Sequence, residues 1–113
     1  MKEQLQTLRE KINSGQFPTH FPHFGGANLI ITDNPNRSFH EGDVVIYTAH
    51  ASAMSWLVME LKEIYGGHLN SLSKYRFYPE IGKLIQESLR TDYDVFESME
   101  YVIEEIEKSW GAE

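Results

Sequence analysis

Hydrophobic residues recur at helical spacing in three separate stretches of the chain. Leu5, Leu8 and Ile12 are spaced three and four residues apart, and residues 51–65 carry a wide apolar face. Near the C-terminal end, apolar and acidic positions interleave as in an amphipathic helix with one solvated face. The sequence therefore predicts a short helix over 2–13, a buried central helix over 51–65 and an amphipathic C-terminal helix. The apolar stripe of that last helix consists of Phe96, Met99, Ile103, Ile106 and Trp110.

Two short runs rich in β-branched residues have the pattern of strands. Residues 28–32 and 43–48 are bounded by Asp, Asn, Pro and Gly, which favour turns. We interpret them as a two-stranded antiparallel hairpin with a long connection, and alternation over 71–78 predicts a third, edge-like strand. Pro79 predicts the start of a further helix, since proline suits the first helical position. Thr91 offers a hydroxyl N-cap for the final helix.

These elements predict an α+β fold in which a small two- to three-stranded antiparallel sheet packs against about four helices. A chain of 113 residues is about one domain long, so a single domain over 1–113 is expected. Hydrophobic residues make up 41% of the chain and charged residues 24%, which is typical of globular proteins and not of disordered ones.

Two absences narrow the class of protein. No window approaches 18 apolar residues and no signal-peptide pattern opens the chain, so no membrane association is expected. The chain has no cysteine, which excludes a disulfide framework and a thiol nucleophile. Because no oxidising compartment is then needed, a cytoplasmic location is the default expectation.

Charge is distributed unevenly along the chain. The net charge is −7, yet residues 1–90 contain nine basic and nine acidic residues, whereas residues 91–113 contain eight acids and one lysine. Nucleic acids are bound largely through Lys and Arg that neutralise phosphate. The sequence therefore predicts no nucleic-acid partner, and favours a basic protein as any charged partner.

Four of these acids lie on the C-terminal helix, away from its apolar stripe. One interpretation is an ordinary solvated face. The other is a docking surface for a basic protein, because a strip of like charge accelerates association with basic patches. The same helix is compatible with a homodimer. The acids predicted to contact a partner are Glu97, Glu100, Glu104 and Glu107.

The stretch HFPHFGGAN, residues 20–28, is an irregular connection rich in aromatic rings. Phe21 and Phe24 are predicted to anchor this loop on the core and to contribute, with the acidic face, to partner binding. Gly25-Gly26 is predicted to form the bend that leads into the first strand.

The histidines of the same loop raise an alternative function. His20 and His23 have a spacing at which two imidazoles can share a metal. The predicted hairpin could gather Asp33, His40, Glu41 and Asp43 at one end, since Asp33 leaves its first strand and Asp43 enters its second. Known zinc signatures need more ligands at defined positions, and the segment's Asp, Asn, Gly and Pro favour turns. The alternative prediction is a divalent transition metal held by His20, His23, His40 and Asp43, in a metal-binding protein or a small metal-dependent hydrolase.

Other catalytic motifs are missing from the sequence. There is no Gly-x-Ser-x-Gly elbow and no glycine-rich phosphate loop. Residues 74–78 interleave bases with aromatics, as in proteins that stack nucleobases, but two cations are few against the acidic C-terminal segment. The primary prediction is a small acidic, non-enzymatic binding or regulatory protein, of inhibitor, immunity-factor or adaptor type, without a cofactor.

Overall fold

The computed structural model describes residues 1–111, which form four α-helices and a three-stranded sheet around one hydrophobic core. The helices are α1 (Lys2–Asn13), α2 (Ala51–Tyr65), α3 (Ser71–Leu89) and α4 (Val95–Trp110), with a turn of 3-10 helix (Gly66–His68) between α2 and α3. The strands are β1 (Gly25–Gly26), β2 (Leu29–Thr32) and β3 (Val44–Tyr47). The predicted α+β class, with about four helices and a small sheet, is confirmed. Within residues 1–111 no helix combines the length and the apolar content that crossing a lipid bilayer requires.

The sheet is mixed, in the order β1-β2-β3. β1 and β2 pair antiparallel through a two-residue turn, in which Ala27 and Asn28 have φ of 50° and 67°. β2 and β3 run parallel, with Leu29 opposite Val44 and Thr32 opposite Tyr47. The antiparallel hairpin predicted between these two strands is therefore wrong. Their connection, residues 33–43, is much longer than a tight hairpin loop and carries the chain back to the starting end of β2.

The path of this connection is explained by the burial of β2. All four residues of β2 are buried, and successive side chains of a strand point to opposite faces, so both faces of β2 are covered. On one face Leu29 lies against α3. On the other, Ile30 lines a depression together with Arg37 and Ser38 of the connection. The returning chain thus borders the face of β2 that lies away from α3.

Residues 71–78, predicted as a strand, are the first turns of α3, which runs on through Pro79. Asn70 caps this helix, since its Oδ1 accepts the backbone N–H groups of Leu72 and Ser73. Phe77 and Ile81 lie four residues apart on one face and are both fully buried. The helix tolerates a proline, with the hydrogen bond it removes, because this face packs into the core.

The N-cap of α4 lies three residues after the predicted Thr91. Asp94 Oδ1 accepts the backbone N–H of Glu97 at 2.8 Å, and Glu97 Oε1 accepts that of Asp94 at 3.3 Å, which forms a capping box. The Thr91 hydroxyl instead donates to Ser88 O near the end of α3, at 2.7 Å. Glu97 therefore has a local role in starting the helix.

The predicted helices over 2–13 and 51–65 are confirmed, and both contribute to the core. The aromatic loop is anchored as predicted, because Phe17, Phe21 and Phe24 are partly buried and pack against that core. The fully buried residues of α1 and α2 include Leu5, Met54, Leu57, Val58 and Leu61.

Helix α3 packs closely against the sheet at Gly82. A Cβ added there would lie 2.5 Å from Leu29 Cδ1 and 3.0 Å from Val44 Cγ1. Leu29 is fully buried and has little room to retreat. A glycine at this position therefore lets the helix contact both β2 and β3.

We expect Gly82→Ala to lower the free energy of unfolding by about 1 kcal/mol or more, because overpacking outweighs the gain in helix propensity. Urea unfolding measures the change. Gly66→Ala is the matched control: Gly66 has φ −52° and ψ −38°, and a Cβ there meets nothing within 4 Å, so no loss is expected. A Gly82→Ala protein as stable as the native one would contradict this close approach.

Candidate functional site

A groove of about 380 Å³ lies along α4, beside the C-terminal end of α1. We call it the acidic groove. Three of the four acids predicted to contact a partner line it, and Glu107 is not among the lining residues. The groove is formed by Asn13, Tyr93, Phe96, Glu97, Glu100, Tyr101 and Glu104.

Aromatic rings provide the apolar part of the groove. Tyr93 is 43% exposed and Phe96 is 40% exposed, so Phe96 is not the buried stripe residue that the sequence predicts. The Phe96 ring packs edge-on against Phe17 at 5.5 Å between centroids, and the Tyr93 ring lies 6.0 Å from that of Tyr101. The rings of Phe96 and Tyr93 are thus each held by contact with a second ring, and both remain accessible in the groove.

Sequence reasoning found the acids of this surface but missed its aromatic half. A signal was present, because Phe96 precedes Glu100 by four residues and Glu97 precedes Tyr101 by four. That spacing places side chains on the same helix face. The rings and the carboxylates could therefore have been assigned to one surface.

Arg9 reaches from α1 to two acids of α4. Its Nε donates to Glu100 Oε1 at 2.9 Å, and its Nη2 donates to Glu107 Oε1 at 3.0 Å. Burial of Arg9 acts to lower its pKa, but the hydrogen bonds and charges of Glu107 and Glu100 outweigh this and raise the pKa above its ordinary value. Glu100 and Glu107 therefore hold the two helices together.

The other two predicted acids are freer. Glu97 is engaged only in the capping box, and Glu104 Oε1 lies 3.6 Å from Lys108 Nζ. Lys108 is shared with Glu105, whose Oε1 is 3.4 Å away and whose charge is the main cause that raises the pKa of the lysine. Glu104 keeps 55% of its side chain exposed.

The groove keeps a negative charge in the folded chain. Residues 92–108 contain seven acids, and in the part of the chain that the structure describes they form ion pairs with two cations, Arg9 and Lys108. Tyr101, which also lines the groove, is neutral and does not offset these acids. Its hydroxyl donates to Glu87 Oε2 at 2.8 Å, and this hydrogen bond is the main cause that raises the pKa of Tyr101 to about 12. Uncompensated carboxylates therefore lie beside exposed rings.

Phe21 and Phe24, the other residues predicted to contact a partner, do not line the acidic groove. The Phe24 ring packs against Tyr78 at 5.2 Å between centroids, and its backbone N–H donates to Ser55 Oγ at 2.9 Å. Phe21 and Phe24 therefore lie outside the groove, and the loop reaches it only through Phe17, whose ring packs against Phe96.

The predicted metal ligands His20, His23, His40 and Asp43 are not brought together. His23 Nδ1 lies 3.7 Å from Asp33 Oδ1, whereas the backbone N–H of His40 donates to Asp43 Oδ2 at 2.9 Å. Among residues 1–111 no three His, Asp or Glu side chains form a group that could hold a metal ion. The parallel pairing is the reason: Asp33 follows the last residue of β2, while Asp43 precedes the first residue of β3, so the two lie at opposite ends of the sheet.

No protein-family model, no curated protein and no solved structure matches this chain. Its function is therefore inferred from the chemistry of its surface.

We expect a double-mutant cycle between Arg9→Met and Glu107→Gln to give a coupling energy of about 0.5–1 kcal/mol, since a partly exposed ion pair is screened by water. Urea unfolding of the four proteins measures this energy. Lys11→Met, also in α1, is the control, because Lys11 makes no ion pair with the residues that the structure describes. If Arg9 couples to Glu107 no more strongly than Lys11 does, the bridge does not hold α1 to α4.

Proposed function

We propose that this is a small acidic, non-enzymatic binding protein that docks a basic segment of a partner protein in the acidic groove. The observation that carries the proposal is the combination of exposed Tyr93 and Phe96 rings with carboxylates that the neighbouring cations only partly neutralise. An inhibitor, an immunity factor and an adaptor would all use such a surface.

The chemistry of the groove favours arginine and lysine as the bound residues. Their charged heads pair with carboxylates, and their apolar stems, or a guanidinium plane, lie against aromatic rings. The phosphate groups of a nucleic acid would be repelled by the same acids. A homodimer through α4 would bring two negative grooves together and is disfavoured by charge repulsion. The groove therefore suits a partner of opposite charge.

The four predicted acids, of which Glu107 lies outside the groove, have different roles. Glu97 and Glu104 contact the partner, since neither is held by Arg9. Glu100 and Glu107 keep α1 against α4, and thereby keep the groove in shape. We also propose a cytoplasmic location, because a chain without cysteine has no need of an oxidising compartment.

We expect the double variant Glu97→Gln and Glu104→Gln to lose the partner without loss of stability, because glutamine at position 97 still completes a capping box. Proteins captured from a lysate of the source cells are compared between the native chain, this variant and a control that carries Glu60→Gln and Glu63→Gln in α2. At least one basic protein should be retained by the native chain and the control and lost by the groove variant.

The captured protein is then purified, and its affinity is measured directly. The groove variant should bind about tenfold more weakly, since each exposed charge pair contributes up to about 1 kcal/mol. Affinity for the native chain should fall as salt is raised. Equal recovery by the groove variant and the α2 control would overturn the proposal.

Tyr93→Ala tests the aromatic half of the groove. We expect it to weaken binding of the same partner by about three- to tenfold at all salt concentrations, because a ring contact is little screened by salt. Tyr47→Ala is the control, since Tyr47 is also exposed, at 61%, but lies on β3. An unchanged affinity for Tyr93→Ala would show that charge alone attracts the partner.

A further inference from the structure

A second cavity, formed by α2, α3 and the β1–β2 turn, is basic instead of acidic. We call it the basic cavity. Its volume is about 460 Å³, which lies within the range of small-molecule sites, roughly 300–1,000 Å³. It shares no lining residue with the acidic groove. The residues that bear on its chemistry are Phe24, Met59, Lys62, Lys74, Tyr75 and Tyr78.

Two lysines from different helices supply the charge. Lys62 comes from α2 and Lys74 from α3, and no acidic residue lines the cavity with them. Neither lysine forms an ion pair with another residue in the described range, although the chain has 17 acids and only 10 bases. Two unneutralised ammonium groups that face one cavity attract an anion.

The hydroxyl of Tyr78 is a hydrogen-bond donor without a partner. Tyr78 is only 5% exposed, and its ring packs against Phe24 and Phe77. Tyr65 is similarly buried, but its hydroxyl donates to Gly111 O at 2.9 Å. The Tyr78 hydroxyl makes no hydrogen bond within residues 1–111, and its oxygen is not enclosed by protein: in that range Ser98 Oγ is the fully buried side-chain polar atom without a partner. The hydroxyl is therefore free to donate into the cavity that Tyr78 lines. A tyrosine hydroxyl is a protonated donor at neutral pH, and burial raises the pKa of Tyr78 further above its ordinary value.

The remaining walls suit a flat apolar body. Phe24 and Tyr75 present aromatic rings, Tyr75 being 60% exposed, and Met59 adds a polarisable thioether. Two cations are too few for a nucleic-acid strand but sufficient for a single phosphate or carboxylate.

We propose that the basic cavity binds a small planar aromatic molecule that carries one anionic group, a phosphate or a carboxylate. Lys62 and Lys74 pair with the anionic group, the Tyr78 hydroxyl donates a hydrogen bond to it, and the rings of Phe24 and Tyr75 contact the planar body. This site is independent of the acidic groove, and its ligand is a small molecule and not a protein.

An NMR titration of the full chain tests the proposal. Amide chemical shifts are followed while one of two anionic probes, adenosine 5′-monophosphate or 2-naphthoate, is added. We expect at least one probe to bind with a Kd below about 1 mM and to shift the amides of Ala27, Lys62 and Lys74. The tighter of the two probes shows which combination of aromatic body and anionic group the cavity prefers. Adenosine lacks the anionic group and inorganic phosphate lacks the aromatic body, so each should bind at least about tenfold more weakly than adenosine 5′-monophosphate.

Variants then assign the contacts. The double change Lys62→Gln and Lys74→Gln should weaken the better probe about tenfold or more, whereas Lys2→Gln with Lys83→Gln should leave it unchanged. Tyr78→Phe keeps the ring and removes the hydroxyl. It should weaken binding about three- to tenfold and leave the urea midpoint unchanged, because the hydroxyl has no partner in the free protein.

Three results would overturn the proposal. One is the absence of cavity shifts with both anionic probes. Another is binding of adenosine as tight as that of its monophosphate. The third is native affinity in the variant that lacks both lysines. If Tyr78→Phe binds the probe with native affinity, the Tyr78 hydroxyl does not contact the ligand.

Discussion

The burial of β2 on both faces is the constraint on which the rest of the structure depends. A strand of four residues, all buried, needs a cover on each side. Helix α3 covers one face and comes close enough to do so because Gly82 has no side chain. The connection of residues 33–43 borders the other face, where Arg37 and Ser38 line a depression with Ile30. Because the connection returns to the starting end of β2, the β2–β3 pairing is parallel. The same path separates Asp33 from Asp43, and with them the histidines that would have completed a metal site.

Acidic and basic groups are separated on the folded protein as well as along the chain. The acidic excess of the C-terminal segment is concentrated along α4, where Arg9 and Lys108 offset part of it and tie the acids to the fold. The basic cavity, between α2 and α3, has two lysines that nothing in the described chain neutralises. One small domain thus presents two surfaces of opposite charge, each lined by aromatic rings, and opposite charges favour different kinds of ligand.

The candidate sites differ in how far the sequence predicted them. Glu97, Glu100 and Glu104 could be assigned to one surface because helical spacing is a local property. Their division into helix-holding and exposed acids could not, since it depends on Arg9, which lies about 90 positions away in the chain. Lys74, Tyr75 and Tyr78 were visible as a basic and aromatic cluster, but their alternation was interpreted as a strand. Only the helical conformation places Lys74 and Tyr78 on the same cavity as Lys62.

The sequence by itself determined the elements whose signals are local. Apolar periodicity was sufficient for the helices over 2–13 and 51–65, and for the existence of the amphipathic C-terminal helix with its acids. The tertiary structure alone decided the parallel pairing of β2 with β3, the helical state of residues 71–78, and which charged groups are paired. The physical reason is that periodicity and capping act over a few residues, whereas the direction of a strand, the tolerance of Pro79 and the partner of a charge are set by packing between distant segments.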